Sequence, residues 1–163
     1  MLYPRRESFF YHNGLPCIVL FTTSGHRCGY VGVPSTHPLS NIDYNDDLCL
    51  DTESVRLSLL FNVHGGITYS DKSKTYPIAQ YEPIWWFGFD CAHCGDDKDF
   101  ETFKNYYPLK DYIRLREIYN WCSGEVKTKE YVEEECKSLA KQIAFIGQIM
   151  EYQKLLSNNE DSI

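Results

Sequence analysis

Two short segments hold the residues whose types and spacing could do chemistry: Val63-His64-Gly65-Gly66-Ile67-Thr68-Tyr69 and Trp85-Trp86-Phe87-Gly88-Phe89-Asp90-Cys91-Ala92-His93-Cys94-Gly95-Asp96. In the first, an imidazole that can donate, take a proton or ligate a metal stands beside two glycines. Those glycines let the backbone approach a ligand closely, or take positive φ, with no Cβ in the way. N–H groups freed at such a turn can hold an anion. In the second segment a very apolar stretch ends abruptly in polar residues, and ligands placed just past a buried strand are held rigidly. Asp90, His93 and Asp96 recur three apart, a spacing that one helical turn or a tight loop brings together.

With His64, and with His37 from upstream, these residues make a mixed nitrogen and oxygen donor set suited to zinc, manganese or iron. A metal held there could activate water. Catalytic candidates are His64, Asp90 and His93. Ligand contacts are expected from His37, His64, Gly65, Gly66, Thr68, Trp86, Asp90, His93 and Asp96, and metal ligation from His64, Asp90, His93 and Asp96. A purely structural reading competes: a glycine bulge with a hydrogen-bonded histidine, and an Asp90 that caps the next turn with His93 bonded to it.

Other chemistries fit less well. Cys91-Ala92-His93-Cys94 contains a Cys-x-x-Cys, but no second such pair exists to complete a zinc knuckle. No thioredoxin-like βαβ pattern surrounds it, and Cys91 directly follows an apolar run, where a thiol is inert. Gly-x-Ser-x-Gly, Walker and dinucleotide fingerprints are absent from the sequence.

The elements that must position these residues are legible from periodicity. Cys17 to Thr23 and Arg27 to Val33 read as strands joined by a hairpin at Ser24-Gly25-His26, and Pro34 to Pro38 breaks the second. Asn41 to Thr52 reads as an acidic loop or short helix. Val55 to Val63 and Ile67 to Tyr69 read as extended pieces around a glycine bulge, with Asp71 to Tyr81 a surface loop. Ile84 to Phe89 is an apolar central strand, in which one tryptophan enters the core and the other borders a pocket. Phe100 to Tyr107 and Leu109 to Asn120 are helices split by Pro108.

Val132, Cys136, Leu139, Ile143, Ile146 and Met150 line one helical stripe, which predicts a helix from about Lys129 to Leu156 and a frayed tail over 157–163. Such a stripe lies on a sheet or mediates a homodimer. The fold class is therefore α+β: a mostly antiparallel sheet packed against a long C-terminal helix, one domain over residues 1–163.

Composition narrows the partners. A net charge of −7 disfavours direct nucleic-acid binding, which needs clustered Lys and Arg on phosphates. Its acidic runs, Asp43 to Glu53, Asp96 to Glu101 and Glu133 to Glu135, read as solvated faces or as an acidic DNA mimic. No export signal or membrane-length apolar run is visible, and the odd set of seven cysteines suits a reducing compartment, so the cytoplasm is expected.

Three blocks in order, Gly29-Tyr30-Val31-Gly32-Val33-Pro34 with His37-Pro38, the His64 segment and the Trp86 to Asp96 segment, resemble a family of small proteins carried mainly by tailed phages and prophages. The match spans about Arg27 to Asp96; Cys94 and the acidic Asp43 to Glu53 stretch depart from it. This resemblance implies phage origin and a shared site, and no particular activity. It points to an accessory protein in the host cytoplasm that binds a host defence component or a small anionic, nucleotide-like ligand. A metal-dependent hydrolase built on His64, Asp90, His93 and Asp96 is the alternative.

Overall fold

The computed structural model describes residues 2–50, 53–79, 83–120 and 123–160. Strand β1 (Arg5–His12) turns through Asn13-Gly14 into β2 (Leu15–Phe21), and Thr22 to His26 returns the chain as β3 (Arg27–Val33). Every residue of β2 and β3 is buried, so both faces of the sheet must be covered. A small hairpin of β4 (Asp47–Leu50) and β5 (Glu53–Arg56) follows, then a single turn α1 (Leu57–Leu60). The edge strand β6 (Tyr69–Ser73) and the interior strand β7 (Ile84–Asp90) complete a five-stranded sheet of order β1-β2-β3-β7-β6, antiparallel throughout.

β8 (Asp96–Asp97) pairs in parallel with β9 (Glu125–Val126), either side of α2 (Phe100–Tyr106) and α3 (Leu109–Ile118). Helix α4 (Lys129–Glu160) lies across one face of the sheet. Val132, Cys136, Leu139, Ala140 and Ile143 are fully buried there against Val19, Val31, Phe87 and Phe89. The stripe is thus packed on the chain's own sheet. The opposite face buries Ile18, Leu20, Tyr30 and Trp86 under Tyr69, Ile78 and Ile84.

Arg27 is 4% exposed and ties the periphery to the sheet. Its Nε and Nη2 donate to both oxygens of Glu7 on β1, at 2.6 and 3.1 Å. Nη1 donates to Asp99 Oδ2 at 2.8 Å and to the Lys127 carbonyl at 3.0 Å, and Nη2 reaches the Thr102 hydroxyl. A buried cation needs such complete pairing, so this network fixes the start of α2 and the approach to α4.

Several expectations need correction. β1 is a strand that periodicity does not announce, because an edge strand mixes polar and apolar residues freely. The same holds for most of β6: Tyr69 reads as extended, but Asp71-Lys72-Ser73 reads as loop and yet pairs with β7. Of the stretch read as acidic loop or short helix, 41–46 is loop and Asp47–Leu50 is β4, with Asp51 and Thr52 outside the described residues. The region read as one extended piece contains α1, which buries Leu57. α4 runs on to Glu160, since an established helix propagates through polar residues; 161–163 lie outside the described residues. Among the described residues no helix is long and apolar enough to cross a membrane.

Because Ile143 is wholly enclosed between α4 and the sheet, Ile143→Ala should lower stability by about 2–5 kcal/mol. The denaturant midpoint measures this, and an unchanged midpoint would mean that the stripe is not packed.

Candidate functional site

Antiparallel pairing of β6 with β7 puts the entry to one strand beside the exit of the other. Tyr69 stands opposite Gly88, and the Thr68 N–H extends the ladder to the Gly88 carbonyl at 2.9 Å. The segments 63–68 and 90–96 therefore meet at one end of the sheet, and the first two turns of α4 lie against them.

Each segment is a tight turn with glycine at its third position. Gly66 N–H donates to the Val63 carbonyl at 2.9 Å around Gly65, whose φ is +66°. Asp96 N–H donates to the His93 carbonyl at 3.0 Å around Gly95, whose φ is +92°. Positive φ at that position is what such turns require and what L side chains resist. Gly65 is constrained twice, because a Cβ there would stand 2.0 Å from His93 Cε1. The His93 ring lies flat against the first turn.

The two turns face His64, His93 and Asp96 toward one point, with one ligand atom from each within 4.8 Å of the others. His64 Nε2 is 2.8 Å from Asp96 Oδ2, and its Nδ1 is 3.0 Å from the Tyr131 hydroxyl. An ionised carboxylate only accepts, so Nε2 carries a proton here, and Nδ1 pairs with the Tyr131 hydroxyl. The His64 N–H donates to Glu135 Oε2 at 2.6 Å, which docks the turn on α4. His93 N–H donates to Asp96 Oδ2 at 3.0 Å, and the imidazole rings stand 5.6 Å apart. His93 Nδ1 is buried without a hydrogen-bond partner, 3.7 Å from Asp96 Oδ2 and 3.9 Å from Asp90 Oδ1.

Side-chain exposure grades across the group: Asp96 4%, His64 15%, His93 36%. Burial alone would raise the Asp96 carboxyl, but hydrogen bonds from His64 and the His93 N–H, with the His64 and Lys127 charges, hold it below the usual carboxylate range. Burial, reinforced by the charges of Asp96, Asp90 and Glu135, pushes the Cys91 thiol up to about 12. Cys91 is thus neither a nucleophile nor a ready ligand at neutral pH.

The other expected site residues divide. Asp90 lies beside the group but outside the convergent three, with Oδ2 accepting from the Thr68 hydroxyl at 3.0 Å and Oδ1 from Ala92 N–H at 3.1 Å. It caps its own turn. Gly66 borders open space. His37 is elsewhere: its Nδ1 accepts from Leu39 N–H at 3.1 Å and its ring packs on Gly147. Twelve residues separate Gly147 from Glu135 along α4, or about 18 Å of helix. Trp86 is fully buried on the face away from α4 and touches none of the three, because alternation along β7 sends it there. Tyr131 and Glu135, unforeseen as site residues, sit one turn apart beside the buried Val132 and Cys136. That i,i+4 placement at the helix start was the available signal.

Two outcomes follow. Gly65→Ala should cost about 1–3 kcal/mol from the positive φ alone, and should displace the His93 ring, read as a large shift of its imidazole NMR signals. Asp96 has a depressed folded-state pKa, so its contribution is present above the unfolded carboxylate range and is lost as pH falls through the folded value. Asp96→Asn should therefore melt lower at neutral pH and lose stability less steeply on acidification; parallel pH profiles would contradict the pairing.

No protein-family model matches the chain, and no curated protein or solved structure matches it significantly.

Proposed function

We propose that the protein is a divalent-metal-dependent hydrolase in which His64 Nε2, its proton moved to Nδ1 beside the Tyr131 hydroxyl, His93 Nδ1 and Asp96 Oδ2 hold the metal. One observation carries the reading: three donors from two rigid turns converge within 4.8 Å, and one of them, His93 Nδ1, is buried with no protein group to satisfy it. A buried imidazole nitrogen without a partner is unfavourable unless something binds it. Two nitrogens and one carboxylate oxygen suit zinc best, with iron and manganese as further outcomes. Three protein ligands would leave a position for water, which a bound metal would activate for attack. Tyr131 then acts at one remove, fixing the His64 ring through Nδ1.

The likeness to tailed-phage proteins supplies the setting of the proposal, a phage accessory protein acting on a host defence component in the host cytoplasm. An acidic DNA mimic is less well supported, because several of its carboxylates are turned inward. Asp99 pairs with Arg27, Asp96 with His64, and Asp43 accepts from Ser70 and the Asn45 N–H.

Elemental analysis of protein purified without chelator should find a stoichiometric transition metal. His93→Ala should lose it while melting close to the metal-free wild type. Metal-free wild-type protein whose melting temperature is unmoved by added zinc would refute the reading.

A further inference from the structure

Resting on the metal reading, the charges around the three ligands narrow what the site can take. Asp96 supplies one negative charge within the ligand set. Asp90 adds a second, 3.9 Å from His93 Nδ1 and held there by Thr68 and the Ala92 N–H. Glu135 adds a third, its Oε2 accepting from the His64 backbone N–H at 2.6 Å. Opposing cations are already engaged among the described residues. Lys127 pairs with Glu125 at 2.6 Å and lies over the Tyr131 ring, and Lys98 turns to His26 and the Tyr119 ring. A divalent cation therefore leaves the site with a net negative charge.

We infer that the loaded site acts on an uncharged carbonyl compound, an amide or ester, and not on a phosphate. Phosphate sites place Arg, Lys or a nest of free N–H groups around the anion, and here carboxylates stand in those positions. A carbonyl oxygen needs no counter-charge from the protein, since the metal polarises it directly. The step balances without a co-reactant. Water adds across the acyl bond, its oxygen going to the carbonyl carbon and its protons to the leaving amine or alcohol and to solvent as the product acid ionises. On this inference a nucleotide phosphate is the wrong ligand, and a compound cleaved at an uncharged amide or ester bond is the right class.

Cobalt-loaded protein provides the test, because the visible bands of cobalt report ligands entering its coordination sphere. Acetohydroxamic acid, which binds a metal through its carbonyl oxygen as a singly charged hydroxamate, and inorganic phosphate, largely doubly charged, are titrated against these bands. The hydroxamic acid should perturb them at a concentration at least about tenfold lower than phosphate, given the like-charge repulsion expected at this separation. Asp90→Asn keeps an acceptor for the Ala92 N–H and removes one charge, so it should narrow that gap by strengthening phosphate. Phosphate acting at equal or lower concentration, or a gap unchanged in Asp90→Asn, would overturn the inference and leave the metal reading standing. Wild-type protein that develops no cobalt bands would remove the metal reading, and this inference with it.

Discussion

A carboxylate leaves water only when hydrogen bonds replace its solvent shell, and the Asp96 side chain is 4% exposed. Its replacements come from two separate turns: the imidazole of His64 and the backbone N–H of His93. Meeting that need brings the two histidines together, since each must deliver its donor to the same oxygen. The glycine-centred turns, the flat contact of His93 on Gly65 and the docking of His64 on Glu135 all follow from it. The cost appears at His93 Nδ1, which the arrangement buries without a hydrogen bond, the nearest carboxylate oxygens lying 3.7 and 3.9 Å away. Proteins tolerate such an orphan where a ligand makes up the loss.

The scaffold supports this constraint from three sides. β6 and β7 align the turns through their shared ladder, α4 closes the site with Tyr131 and Glu135, and β8 holds Asp96 against β9. Arg27 locks the last of these in place, because its bonds to Asp99 and the Lys127 carbonyl pin the chain just after each strand of the β8–β9 pair. Function and fold meet there: the ion network at Arg27 has every donor in use, while the group at His93 does not.

Much of this was legible in the sequence, and what was not has identifiable physical causes. The stripe from Val132 to Ile146 forecast α4 because burial against a sheet leaves a clean helical period. β3 and β7 were visible as apolar runs, being enclosed on both faces. The edge strands β1 and β6 were not, since one exposed side releases the alternation. At the site, His64, His93 and Asp96 were foreseen as neighbours, because abrupt polar residues after β7 and the His-Gly-Gly turn imply convergence. His37 and Trp86 joined that list by residue type alone. Nothing in their spacing says that one packs on Gly147 and the other points to the far face. Tyr131 and Glu135 went unseen because their role depends on which end of α4 meets the loops, a tertiary fact.

X-ray absorption at the zinc edge of the zinc-loaded protein reads directly which atoms hold the metal. Two imidazole nitrogens and light oxygen scatterers at about 2.0–2.1 Å are predicted. A shell of sulfur at about 2.3 Å would place the metal on Cys91 and Cys94 instead, and would contradict the His64, His93 and Asp96 centre.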